Sequence, residues 1–117
     1  MDGSLIQHKK LTKSGRWTDM SLAEQMANIG SEVFRAGRWK DKGNSLHMSV
    51  ATDRFLELLD YTIWDREQKQ QTTKELLILS ELLLDYFYGD NQYDSSSESL
   101  NKYFEPFSMK AARQRLE

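Results

Sequence analysis

Apolar residues recur along this chain at alternating steps of three and four, the period of helices that each bury one stripe. The first series is Leu22, Met26, Ile29, Val33 and Ala36. Ala23, Ala27, Gly30, Phe34 and Gly37 lie on the adjoining arc, so the apolar face is wide enough for two neighbouring helices. The small residues on that arc predict a close approach on one side, because a glycine inside a helix costs about 1 kcal/mol against alanine and needs a packing reason. Ser21-Leu22-Ala23-Glu24 has the form of a capping box and predicts the start of this helix. Gly43-Asn44 predicts its stop.

Met48, Ala51, Phe55, Leu58, Leu59, Thr62 and Ile63 place a second helix over 45–63, with Asp53, Glu57 and Asp60 on the opposite side. The strongly polar run 65–71 reads as a linker, with or without a frayed helical turn. A second capping-box pattern, Thr72-Thr73-Lys74-Glu75, opens a third helix. From 76 to 88 nearly every position is apolar except Ser80, Glu81 and Asp85. A helix apolar nearly all round is expected to be buried by several neighbours, and Gly89 to end it. After a loop over 90–97 rich in Asp, Asn and Ser, the last helix begins near Ser97. It carries Leu100, Tyr103, Phe104, Phe107 and Ala111 on one face. That stripe stays in phase across Pro106, which predicts a kinked helix or two short collinear ones.

Four helices on short connections predict an all-α fold: an antiparallel four-helix bundle over 19–117, with a Pro-kinked last helix. Residues 1–18 read as a basic N-terminal arm carrying Lys9, Lys10, Lys13 and Arg16, either disordered or pinned to the body by Trp17. The length of 117 residues fits one core rather than two. Hydrophobic residues at 38% and charged residues at 29% fit a soluble globular surface. A net charge of −2 weighs against a general nucleic-acid coat. With no cysteine, disulfides, thiolate zinc sites and a cysteine nucleophile are excluded, and a reducing cytoplasm fits. Residues 1–13 lack the apolar run of a signal peptide, and the apolar stretch around Leu76–Leu84 is broken by Ser80 and Glu81, too short to span a bilayer. The expectation is a soluble cytoplasmic protein with no membrane contact.

Candidate chemistry is sparse. Glu81 and Asp85 stand four apart on a helix that otherwise asks for burial, so like charges share one face. They read as two carboxylates in a cleft holding a metal or a basic ligand, as the solvent-facing strip of a core helix, or as a pair neutralised by Arg35, Arg38 or Arg54. Glu32 lies beside the first apolar stripe within a polar ridge of Asn28, Glu32 and Arg35, placed to bond across to Arg54 or to the third helix. Glu32, Glu81 and Asp85 together are the candidate acidic site. Arg35, Arg38 and Lys40, with Lys42, surround Trp39 as a candidate basic patch for a phosphate backbone, although cations also gather at a helix C-terminus for its dipole. A carboxylate-bridged di-iron site is excluded, because neither His8 nor His47 follows a Glu by three. Glu57-Leu58-Leu59-Asp60 has the Glu-x-x-Asp form of all-helical nucleotide pyrophosphohydrolases, but no Glu-x-x-Glu precedes it. No catalytic residue, metal or cofactor is expected.

The segment from Trp17 to Val33, with Arg54-Phe55-Leu56-Glu57-Leu58-Leu59-Asp60 and Asp85-Tyr86-Phe87, resembles a group of small uncharacterised bacterial helical-bundle proteins. The resemblance implies a fold and no activity. In architecture the chain is also distantly similar to HEPN-type bundles, small helical partners of nucleotidyltransferases, some of them ribonucleases. Their active members place an Arg a few residues before a His, whereas Arg38 and His47 stand farther apart, so the nuclease chemistry is not implied. The leading expectation is a non-enzymatic bundle acting through protein contacts, with itself as a homodimer or with another protein, because the third and last helices own more apolar surface than a bundle of this length is expected to enclose. The alternatives are an RNA- or nucleotide-linked accessory protein of the HEPN-like sort and a metal-dependent hydrolase using the helix carboxylates.

Overall fold

The computed structural model describes residues 16–117, which are all-helical with no strand among them. A short α1, Arg16–Asp19, precedes four long helices: α2 Leu22–Asp41, α3 Ser45–Gln68, α4 Lys74–Tyr88 and α5 Ser97–Leu116. Residues 1–15 of the expected arm lie outside the described residues.

The start of α2 is where its capping box predicts. Ser21 accepts from the Glu24 amide through its hydroxyl, and Glu24 accepts from the Ser21 amide. Its stop is Gly43 in the left-handed region at φ 71°, where only glycine is free of a Cβ penalty. Between them, Met26, Ile29, Val33 and Ala36 are buried against α3 and α5, the two neighbours that the wide apolar face predicts. Gly30 is the point of closest approach: a Cβ there would lie 2.9 Å from Phe104 on α5.

Two boundaries differ from the expectation. The polar run after Ile63 is not all linker, because α3 continues to Gln68. Asp65 is buried and accepts from Gln25 Nε2 at 3.3 Å and from Lys69 Nζ at 3.0 Å. Partners on α2 and one turn along its own helix make burial of a carboxylate tolerable. At the start of α4, Thr73 is the cap residue but makes no side-chain capping bond, so the second capping box does not form. Arg66 Nε instead donates to the Thr72 carbonyl at 2.8 Å. Past Pro106, α5 runs unbroken, one helix rather than two, with Leu100, Phe104 and Ala111 inward.

Trp17 holds α1 to the body. It is 3% exposed, its Nε1 donates to Thr62 Oγ1 at 3.1 Å, and its ring meets Tyr61 edge-on at 6.5 Å. Gln25 Nε2 donates to the Trp17 carbonyl at 2.8 Å, and Lys69 Nζ donates to the Thr18 carbonyl at 3.1 Å. Residues 16–19 therefore belong to the packed body, at the end of the molecule where α3 turns into α4.

The largest departure concerns α4. Although it is the most apolar helix, it packs chiefly on α3 and buries only Leu76, Leu79, Leu83 and Phe87. These four fall on one stripe, where Phe87 meets Phe55 at 5.4 Å. By contrast α2 is flanked by α3 and α5, and α3 by α2 and α4. Burial follows the number of neighbours, and α4 has too few to cover its whole circumference.

Candidate functional site

The uncovered side of α4 presents Leu77 at 51% exposure, Ile78 at 47%, Leu84 at 43% and Tyr88 at 55%. Leu77, Glu81, Leu84 and Tyr88 repeat at steps of four, three and four and so form a second stripe, turned away from the buried one. Other exposed apolar side chains, such as Leu46 with Val50, Trp64 and Met109, lie on other helices. Scattered apolar groups are ordinary, whereas here four half-exposed apolar side chains share one helix. At its start the row borders an open hollow of about 430 Å³ lined by Thr72, Thr73, Lys74, Leu77, Ile78 and Glu81.

The two acidic residues on this face are neither paired with arginine nor simply solvated. Asp85 receives two loop amides, Gln92 N at 2.8 Å on Oδ1 and Tyr93 N at 3.0 Å on Oδ2. The loop is built for this docking. Asn91 and Asp94 adopt left-handed φ of 54° and 53°, a conformation that short polar side chains tolerate best. Asn91 also clamps Ser95, accepting from its amide at 2.8 Å and donating to its carbonyl at 3.0 Å. The loop thereby carries Tyr93, itself 51% exposed, back onto α4, where its hydroxyl donates to Glu81 Oε2 at 3.3 Å.

Glu81 raises the Tyr93 pKa above the ordinary tyrosine value of about 10, first through its charge and then by accepting the phenol proton, with smaller contributions from burial and Asp85. Tyr103 on α5 is raised as well, mainly by burial and secondarily by Glu75. Its hydroxyl is buried without a hydrogen-bond partner among the described residues. Both phenols hold their protons more tightly folded than unfolded. Their contribution is complete below the unfolded value of about 10 and is lost as pH rises through the raised values. Denaturant midpoints measured from pH 8 upward are expected to fall above about pH 10. Tyr103→Phe is expected to flatten that fall and, by removing the unpartnered hydroxyl, to leave neutral-pH stability unchanged or raised by up to about 1 kcal/mol. A steeper alkaline fall in the phenylalanine variant would contradict this account.

The remaining candidates have the following partners. Glu32 is largely buried between α2 and α3; Arg35 Nη1 donates to both its oxygens at 2.9 and 3.1 Å, and Arg54 Nε on α3 lies 3.7 Å away. It fixes the register of two helices. The structure does not bring Glu32 together with Glu81 and Asp85, and no group of three acidic or histidine side chains among the described residues is arranged to hold a metal ion. Three cations of the basic patch region lie over aromatic rings. Arg38 lies 6.0 Å from the centre of Phe34, Lys40 5.0 Å from that of Tyr86 and Lys42 5.2 Å from that of Trp39, while Arg35 is committed to Glu32. His47 stacks on Trp39 at 4.5 Å and caps against Asn44.

An apolar surplus on this helix is legible in the sequence, but which of its residues stay uncovered is the feature that sequence reasoning missed, since the helix is expected there to be buried by several neighbours. The signal that could have found it is the second stripe at 77, 84 and 88, in addition to the buried stripe at 76, 79, 83 and 87. No helix among the described residues is long and apolar enough to cross a membrane. Compared with protein families, curated proteins and solved structures, the chain matches none.

Proposed function

We propose that the four long helices form an antiparallel bundle that acts through protein contacts rather than catalysis, with the outer face of α4 as the contact surface. The observation that carries this reading is the row Leu77, Ile78, Leu84 and Tyr88, each more than two-fifths exposed on a helix whose other stripe is fully packed. Apolar side chains of this size gain roughly 1.5–3 kcal/mol each on going from full exposure to full burial, and about half of that is still to be gained at these half-exposed positions. A partner that covers the row therefore has a real driving force. The lack of cysteine supports a reducing compartment such as the cytoplasm.

Panning a displayed library of helical peptides against the full chain tests the reading. Enriched binders are expected to lose affinity for a Leu77→Ser/Leu84→Ser variant, because both substitutions lie in the row and away from the packed stripe. A dimer in sedimentation velocity that the same variant dissolves would also support it. Binders indifferent to the double variant, or none at all together with a strict monomer, would count against it.

A further inference from the structure

The row on α4 is apolar except at one place. Its seam positions are Leu77, Glu81, Leu84 and Tyr88, so a carboxylate sits in the middle of the surface a partner would cover. Among the described residues no cation forms a salt bridge with Glu81 or Asp85. Lys74 is the only basic residue on α4, against Glu75, Glu81 and Asp85. Asp85 is already turned to the loop amides, whereas Glu81 accepts only the Tyr93 hydroxyl, at the longer distance of 3.3 Å.

Covering Glu81 with an apolar surface would desolvate an unpaired charge, which costs several kcal/mol. A second copy laid along the whole seam by a twofold axis places each Glu81 against an apolar position or against its own symmetry mate, where like charges repel. The register that sets Lys74 against Glu81 instead centres the axis between Leu77 and Ile78 and leaves Leu84 and Tyr88 beyond the start of the other copy's helix, uncovered. A cationic partner side chain removes both penalties. Its charge meets the carboxylate, its aliphatic stem lies along Leu77 and Leu84, and the exposed Tyr93 ring beside Glu81 offers a cation–π face. The repeat of four, three and four is the spacing at which a helix laid along α4 inserts its own side chains.

Resting on the interaction reading above, we infer that the occupant of this face is a basic amphipathic helix of another protein, with an Arg or Lys seated on Glu81 beside Tyr93, and not a second copy of this chain.

The test uses fluorescence anisotropy with three synthetic peptides of about 18 residues, enough for five turns. The first carries leucines at seam spacing with a central seam Arg, the second replaces that Arg with Glu, and the third replaces the leucines with Ser. The full chain is expected to bind the Arg peptide at least about tenfold more tightly than its Glu twin, with the advantage shrinking as salt rises. Glu81→Gln is expected to remove most of that difference, and Glu81→Arg to reverse it. Equal binding of both leucine peptides, lost in Leu77→Ser/Leu84→Ser, would overturn the charge inference while leaving the interaction reading standing. A dimer formed through the same seam would likewise overturn it. Absence of binding by any of the three overturns it as well, and combined with failed library selection it overturns both readings.

Discussion

Phe55→Ala is expected to lower the free energy of unfolding by about 3–5 kcal/mol, a large share of what a domain of this size possesses. Phe55 is 0% exposed on α3 and stacks on Phe87 of α4 at 5.4 Å. Truncation leaves a cavity at the junction that holds α4 to the rest of the molecule. Because α4 packs chiefly on α3, the loss is expected to be felt unevenly. Amide exchange in 76–88 should accelerate more than exchange in α2, whose contacts are shared between α3 and α5. Urea unfolding gives the magnitude and hydrogen exchange gives its location. A loss under about 1 kcal/mol, or equal deprotection of α2 and α4, would contradict the packing described.

The two glycines of α2 are expected to respond in opposite directions to the same substitution. Gly30→Ala places a methyl 2.9 Å from the Cβ, Cγ and Cδ1 of Phe104, atoms near the root of a buried ring that cannot swing aside. Overpacking of this kind costs about 1–3 kcal/mol, and the gain in helix propensity of about 1 kcal/mol offsets only part of it. Gly30→Val should be worse still, with α5 pushed off α2. At Gly37 the nearest atom is Ser97 Oγ at 3.7 Å, an ordinary contact. Gly37→Ala is therefore expected to be neutral or to stabilise by up to about 1 kcal/mol. Thermal unfolding of the two variants side by side checks the contrast. Equal effects would mean that the approach of α2 to α5 is not set at Gly30.

Much of this architecture is legible in the chain because it depends on local chemistry. The Ser21 capping box, the left-handed Gly43 and the small arc around Gly30 each state a boundary or a contact within a few residues. What was not legible depends on partners distant in sequence. Asp65 looks like linker until Gln25, forty residues earlier, and Lys69 supply its hydrogen bonds. Tyr61 is 1% exposed because Trp17 on α1 lies against it, a contact no periodicity announces. The candidate acidic site failed as a cluster for the same reason. Glu32 finds arginines at the α2–α3 junction, whereas Asp85 finds the amides of Gln92 and Tyr93, in a loop whose Asn91 and Asp94 read as turn formers without announcing that the amides between them meet a carboxylate.

The misreading of α4 is the most instructive, since composition reports how much apolar surface a helix owns and not how many neighbours exist to cover it. Two stripes are present in the sequence, and only the fold decides that one is packed and the other faces water. The proposed contact surface follows from that division.

Urea unfolding of the Leu77→Ser/Leu84→Ser variant tests this division most directly. If the outer stripe faces water, the double variant should lose no more than about 1 kcal/mol per site, the cost of half-exposed leucines and a weaker helix former, while Leu79→Ala and Leu83→Ala on the inner stripe each cost about 2–5 kcal/mol. A double variant destabilised as severely as the inner-stripe variants would show that α4 is buried all round, and the contact surface would not exist.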